Sequence, residues 1–343
     1  MGLNEPKMKV LIIVRHRFEL WVPPEWFVER LQRDFPGIDV FRFQDYPEAE
    51  VHLPDAEVLI TWSLRAEQFV RARKLRWIHS TAAAVHALMI PELVASDVLV
   101  TNARSVHGPV VAEHAMAALL AMAHRLPAAM RYQQQHLWAQ TNLWRDEPRP
   151  REVQGATLGL VGVGSIGGEI AKRALAFGMN VVAVREHPER GADFVPGNPG
   201  TPTVLKVVGF EALDEVLAQA DFVALAAPLT AKTRALFDAE RLGRMKKGAF
   251  LINVSRGALI DEIALAEALR KRRIAGAALD VFEREPLPSE SPLWDLPDLL
   301  ITPHSAALTD KIWERQYALF AENLRRYCAH SPLLGVVDKR KGY

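Results

Sequence analysis

The stretch Thr157-Leu-Gly-Leu-Val-Gly-Val-Gly-Ser-Ile-Gly167, followed by Val181-Val-Ala-Val-Arg185, decides how this chain is read. Leu158 to Val161 is a short apolar run of the kind that forms a buried strand, and Glu169 to Phe177 continues with helical spacing. Between them Gly162, Gly164 and Gly167 stand as G-x-G-x-x-G. In such a turn the first glycine permits the tight bend. The second lets the backbone approach a pyrophosphate, and the third lets helix and strand pack closely. A helix starting at Ser165 presents unpaired N–H groups and a positive dipole end to phosphates. Glycines alone also mark ordinary turns. The strand before, the helix after and the second strand at the right distance make this a dinucleotide-binding unit.

The 343 residues leave room for two domains, and 49% hydrophobic with 24% charged residues is the balance of an ordinary globular protein. The formal net charge is +1. Its one basic run, Arg270-Lys-Arg-Arg273, falls at the end of an expected helix, where cations suit the macrodipole. Nucleic acid is therefore not an expected partner. The single cysteine, Cys328, excludes an internal disulfide and fits a reducing compartment. Val10 to Val14 is too short for an export signal, and no stretch is apolar for long enough to span a bilayer. The expected setting is the cytoplasm.

Residues 8–105 alternate strand and helix signals. Strands are expected at Lys9 to Val14, Ile38 to Phe43, Glu57 to Thr61, Leu75 to His79 and Val98 to Thr101, with a helix at Pro24 to Phe35. That alternation implies a parallel α/β sheet. A long apolar helix is expected from Val106 to about Ala129, followed by an irregular aromatic segment over 130–150 with Trp138 and Trp144, suited to docking. A second α/β series then follows the glycine turn. Its strands are Asp221 to Ala226, Ala249 to Val254, Ala275 to Val281 and Leu300 to Thr302, with a helix at Asp261 to Arg270. Pro188 to Pro202 reads as a surface loop. Thr309 to His330 reads as one amphipathic helix, with Ile312, Leu319, Phe320 and Leu324 on one side.

Ligands of an open parallel sheet bind beyond the carboxyl ends of its strands. The residues there are Arg185, Pro228, Arg256, Asp280 to Glu285 and His304. An arginine can grip a carboxylate through two parallel hydrogen bonds. A histidine can exchange a proton near neutral pH, and a nearby carboxylate favours its protonated form and fixes its ring. Singly, Arg256 could be a surface residue, His304 a cap and Glu285 a solvated loop carboxylate. Together, at successive strand ends, they suit a carbonyl that exchanges hydride with a nicotinamide.

Four ordered motifs, Gly162-Val-Gly-Ser-Ile-Gly167, Asn253-Val-Ser-Arg-Gly257, Leu279-Asp-Val-Phe-Glu-Arg-Glu-Pro286 and Thr302-Pro-His-Ser-Ala306, resemble the D-isomer-specific 2-hydroxyacid dehydrogenases, in particular the glyoxylate and hydroxypyruvate reductases. Asn102-Ala-Arg, Val111-Ala-Glu-His114 and Pro228-Leu-Thr230 with Thr233 agree. The resemblance runs from about residue 58 to 310 and implies two parallel-sheet α/β domains, Rossmann-like and flavodoxin-like, with a cleft between them. Residues 1–104 with 308–343 would bind substrate, and 105–307 would bind the dinucleotide. Arg256 would hold the substrate carboxylate, His304 would be the acid and base, and Glu285 would keep His304 protonated. Cofactor contacts would come from Gly162, Gly164, Ser165, Ile166, Gly167, Arg185, Pro228, Thr233, Val254, Ser255 and Asp280, the last near the nicotinamide carboxamide.

The loop Ser80-Thr-Ala-Ala-Ala-Val-His86 lacks the glycine and aspartate common in the family, yet its backbone at Thr81, Ala82 and Ala83 could still meet the substrate. Neither the lysine of phosphite-oxidising relatives nor the glutamine of formate-oxidising ones is present, which favours a small 2-oxo or 2-hydroxy acid. The segment with Trp138 resembles a dimer arm whose aromatic closes the partner's site, so a homodimer is expected. Arg185 stands where an acidic residue would bind a ribose 2′-OH, and Glu186 follows it. Arg185, helped by Arg190, would attract a 2′-phosphate, so NADP(H) is expected in preference to NAD(H). No metal site is expected. The rival readings are a dinucleotide-sensing corepressor on the same fold, and an enzyme for a phosphorylated hydroxy acid using Arg65, Arg71 or Arg73.

Overall fold

The structure is a computed structural model, and it describes residues 7–190 and 205–340, without the side chain of Arg190. Most of the expected Pro188–Pro202 loop and the Arg190 side chain thus lie outside the described residues. The chain divides into two compact units, Met1–His107 with Leu308–Tyr343, and Gly108–Ala307.

The first unit holds five strands: β1 (Met8–Ile13), β2 (Ile38–Phe43), β3 (Val58–Ile60), β4 (Trp77–Ser80) and β5 (Leu99–Asn102). They pair in parallel in the order β2-β1-β3-β4-β5. Both faces are covered, as all-parallel sheets require. On one face Val10, Ile12, Val58, Ile60 and Trp77 pack with Phe27 and with Trp313, Phe320 and Leu324 of the returning helix Ile312–Cys328. On the other, Leu11, Leu59 and Ile78 pack with Leu53, Leu88 and Leu93.

His79 on β4 is a polar residue inside this core. Its ring is 1% exposed, and its Nδ1 lies 2.8 Å from Thr101 Oγ1, which also accepts from Trp77 Nε1 at 2.9 Å. Burial lowers its pKa from 6.5 to about 4, while Gln316 alongside acts in the opposite direction. The unfolded chain therefore takes up a proton near pH 6.5 that the folded chain refuses until about pH 4. Stability from a neutral His79 is complete above the unfolded value and is lost as pH falls across that window. The loss is at most about 3.5 kcal/mol, from about 1.4 kcal/mol per pKa unit. Denaturant titrations at several pH values should show this fall in wild type and a flatter profile in His79→Gln. Parallel profiles would remove His79 as the cause.

The second unit is a seven-stranded parallel sheet. Its strands are β6 (Thr157–Val161), β7 (Asn180–Val184), β8 (Leu205–Val208), β9 (Phe222–Leu225), β10 (Phe250–Asn253), β11 (Gly276–Leu279) and β12 (Leu299–Ile301). Their order is β12-β11-β10-β9-β6-β7-β8. The chain reverses direction across the sheet between β6 and β9, which is the switch point where such sheets take ligands. Helices Gly108–Ala123 and Ser165–Ala176 cover one face, and Leu213–Gln219, Ala239–Arg244 and Glu262–Arg270 cover the other.

Three expectations are corrected. The long helix from Val106 is two helices, Gly108–Ala123 and Leu126–Gln134. Arg125 turns left-handed at φ 56° between them, and Pro127 sits in the first turn of the second, where its missing N–H costs nothing. The segment 130–150 is not wholly irregular, since it holds the end of that helix and Gln140–Arg145. Strand β8 extends the sheet edge beyond the strands that the sequence signals gave.

Candidate active site

The strand–turn–helix at β6 has the geometry its glycines imply. Gly162 adopts φ 94°, and a Cβ there would lie 2.6 Å from Ala227 N. At Gly167 a Cβ would lie 2.0 Å from Gly162 O, so helix Ser165–Ala176 can seat on its turn only without one. Gly164, the residue before that helix, would meet nothing within 4 Å. The space beside it is open at the N-terminal, positive-dipole end of a twelve-residue helix, which fits the pyrophosphate of a dinucleotide.

The loops after β9 and β10 join beside this turn. Ser255 Oγ donates to Ala227 O. Thr233 is buried with its hydroxyl donating to Pro228 O at 2.7 Å and accepting from Thr230 N at 2.8 Å. Thr233 and Pro228 therefore shape their turn from within.

Arg256, Glu285 and His304 follow β10, β11 and β12, three adjacent strands. The buried Asn253 sets the Arg256 loop: its Oδ1 accepts from Ser255 N at 3.0 Å and its Nδ2 donates to Arg256 O at 2.9 Å. Arg256 Nη1 donates to Ser255 O at 2.7 Å, and the side chain is otherwise solvent-facing. Gly257 presses against the next strand's turn, where a Cβ would lie 1.8 Å from Phe282 C. That turn carries Glu285. Glu285 Oε1 accepts from Phe282 N at 2.9 Å, and Oε2 lies 2.6 Å from His304 Nδ1. A carboxylate accepts only, so Nδ1 carries the proton and Nε2 is left for chemistry. The imidazole is 53% exposed, as a ring that meets substrate must be. Glu262 completes the turn by accepting from Glu283 N at 2.6 Å, and burial, with the nearby Glu283 and Glu285 charges, raises its pKa.

His304 is held at φ 50°, a left-handed conformation that costs a non-glycine residue about 1–2 kcal/mol. Asp280 offsets that cost. Its carbonyl accepts from His304 N at 2.8 Å. Its buried carboxylate accepts from Ser305 N at 2.8 Å, Ala306 N at 3.0 Å and Thr302 Oγ1 at 2.6 Å. His114, from helix Gly108–Ala123, donates through Nε2 to Thr302 Oγ1 at 3.0 Å. Asn253, Thr302 and Ser305 stand in the quoted motifs but were given no role from sequence, and Glu262 was not singled out at all. The signal was there only in part: Thr302, Ser305 and Glu262 work through partners 21 to 25 residues along the chain, and Asn253, though only two and three residues from its partners, acts by shaping the loop and not by any chemistry of its own.

The other candidates stand apart from this cluster. Arg185 follows β7 directly, with its N–H on Val208 O at 3.0 Å. Its neighbour Glu186 is paired with Lys232 at 2.8 Å, and that ammonium holds the Glu186 carboxyl below the usual range. Trp138 is 95% exposed, so this chain alone gives it no pocket. Thr81, Ala82 and Ala83 form a loop of the first unit. Among the described residues no group of three or more His, Cys, Asp or Glu could hold a metal ion.

Residues 116–306 match the model of the D-isomer specific 2-hydroxyacid dehydrogenase NAD binding domain, more than half of the chain. This chain belongs to the D-isomer-specific 2-hydroxyacid dehydrogenases. It is similar to the glyoxylate reductase of Korarchaeum cryptofilum, 33% identical over 88% of this chain and 89% of that one. It is also similar to the D-3-phosphoglycerate dehydrogenase of Methanocaldococcus jannaschii, at 34% identity over 80% of this chain, though it spans only 50% of that relative's length. Among solved structures, the NADPH-dependent glyoxylate/hydroxypyruvate reductase of Sinorhizobium meliloti, in complex with NADP and sulfate, is similar with a TM-score of 0.75. Its identity is 26%, over 98% of this chain and 100% of that one. The dehydrogenase is thus an NAD(P)-dependent oxidoreductase of two parallel-sheet domains, and the corepressor reading is not favoured.

Proposed function

We propose that this dehydrogenase reduces a small 2-oxo acid of the glyoxylate or hydroxypyruvate kind to its D-2-hydroxy acid, with NADPH preferred over NADH. The carrying observation is the His304–Glu285 pair, fixed at 2.6 Å on a strand end adjacent to that of Arg256. Arg256 grips the substrate carboxylate through its planar fork. A dinucleotide held at the Gly162–Gly167 turn would supply hydride to C2. His304 Nε2 gives its proton to the former carbonyl oxygen, so the C=O becomes CH–OH with both hydrogens accounted for. Glu285, with both oxygens engaged, orients the ring so that Nε2 faces outward from the pair. Asp280 keeps His304 in its strained pose; in the loop Thr81–Ala83 the Ala82 N–H donates to Ser80 Oγ at 3.2 Å, which leaves the Thr81 and Ala83 amides as candidates for a carboxylate.

The cofactor preference is supported by Arg185 directly after β7 and by the engagement of Glu186 with Lys232, which leaves the carboxylate less available to a ribose 2′-OH. Steady-state kinetics should give kcat/KM at least about tenfold higher with NADPH than NADH, about the value of one charge-assisted hydrogen bond. A higher value with NADH would overturn the preference.

The phosphorylated-acid reading finds less support. Arg71 is paired with Glu50, and Arg65 lies 3.8 Å from Glu67. A homodimer belongs to the proposal, since Leu126, Met130, Leu137, Trp138 and Trp144 leave large apolar side chains exposed within one short segment. Light scattering at micromolar concentration should report a dimer, and a monomer would count against it. A cytoplasmic setting fits the lone cysteine, and no described helix is long and apolar enough to cross a membrane.

A further inference from the structure

Helix Gly108–Ala123 is apolar along almost its whole length, and Glu113 and His114 are its two polar residues. Both are engaged by partners from other elements. Glu113 pairs with Arg173 of helix Ser165–Ala176 at 3.1 Å. His114 reaches the turn after β12, where its Nε2 lies 3.0 Å from Thr302 Oγ1 and 3.7 Å from Asp280 Oδ1. His114, Thr302, Asp280 and His304 all lie within the unit Gly108–Ala307.

The direction of each hydrogen bond follows from the chemistry of the groups. Asp280 is buried, and its Oδ1 accepts from Ser305 N at 2.8 Å. A carboxylate has no proton to give, and the Thr302 hydroxyl has one. That proton points to Asp280 Oδ1, 2.6 Å away. With it committed, the Thr302 oxygen can only accept from His114, so His114 Nε2 carries a hydrogen. The row runs from His114 Nε2–H to the Thr302 hydroxyl to Asp280, each donor polarised by the one before it. Beyond the row, Asp280 O accepts from His304 N at 2.8 Å, and Thr302 O accepts from the same N–H at 3.0 Å. The two residues that hold the His304 backbone at φ 50° are thus both linked to His114.

We propose that His114 is a positioning residue for proton transfer at His304, acting through the Thr302 hydroxyl and the Asp280 carboxylate. The proposal rests on the reading of His304 as the general acid. His114 gives no proton to substrate. Its N–H holds the Thr302 side chain in one orientation, and through it the turn that aims His304 Nε2. Its effect therefore falls on kcat rather than on the affinity for either substrate. A histidine that only filled space on the helix would be replaceable by any side chain of its size.

The test uses the full chain with glyoxylate and NADPH, in wild type, His114→Met, His114→Gln, Thr302→Val and the double variant of His114→Met with Thr302→Val. His114→Met keeps the bulk and removes the donor, and kcat should fall about fivefold to tenfold, the value of one neutral hydrogen bond. KM for glyoxylate and Kd for NADPH should stay within about twofold of wild type. His114→Gln restores an N–H donor of similar reach and should bring kcat back to within about twofold. Thr302→Val should lower kcat at least as far as His114→Met, and the double variant should be no slower than Thr302→Val. In wild type carrying isotopically labelled histidine, the ring resonance that His114→Gln removes should show a protonated Nε2. Unchanged kcat in His114→Met, a His114→Gln as slow as His114→Met, or additive losses in the double variant would each overturn the proposal. An Nε2 without its proton, or an equal loss of NADPH affinity in His114→Met, would overturn it as well. If His304→Ala is as active as wild type, the parent reading fails instead, so the two failures are told apart.

Discussion

Replacing His304 with alanine should lower kcat for 2-oxo acid reduction by a factor of about 10² to 10⁴, the usual contribution of a positioned general acid. NADPH affinity should stay within about twofold, because the glycine turn and the helix Ser165–Ala176 are built without His304. The imidazole closes no core contact and is 53% exposed, so the variant should also keep its melting temperature. Removing the left-handed histidine leaves Asp280 still bonded to Ser305 N and Ala306 N, which holds the turn. Single-turnover mixing of variant, NADPH and substrate separates the slow chemical step from binding. A variant as active as wild type would refute the assignment of His304 as the acid.

The second large effect lies at Arg256. Arg256→Lys keeps the charge but loses the planar fork, so one of two parallel hydrogen bonds to the carboxylate disappears. Such a bond is worth about 1.5–3 kcal/mol, and KM for the 2-oxo acid should rise about tenfold to a hundredfold. The loop itself is secured by Asn253 and by Gly257 against Phe282, so the substitution should leave the backbone in place. An unchanged KM in Arg256→Lys would show that the carboxylate is held elsewhere.

Much of this arrangement was legible because its signals are local. A buried parallel strand is a run such as Leu158 to Val161 or Phe250 to Ile252, and the residue that follows it lies at the ligand edge of the sheet. That rule alone brought Arg256, Glu285 and His304 into consideration. The break at Arg125 escaped because alanine-rich sequence on both sides reads as helix, and one left-handed residue carries little signal of its own. The supports of the site were hidden for a different reason. Asp280 reaches Ser305 and Ala306 across 25 and 26 residues, and Gln316 reaches Thr81 across 235. Such hydrogen bonds depend on which strands and helices become neighbours, and a side chain of ordinary type gives no sign of its distant partner. His79 is a related case, since only the packed sheet shows that its ring is buried against Thr101 rather than at the surface.

The most direct measurement is the loss of nicotinamide absorbance when purified enzyme is mixed with NADPH and a panel of small 2-oxo acids, with the product resolved by chirality. The account predicts sustained turnover of at least one member, glyoxylate or hydroxypyruvate foremost, and the D-hydroxy acid wherever the product is chiral. Tight NADPH binding without turnover of any 2-oxo acid would contradict it.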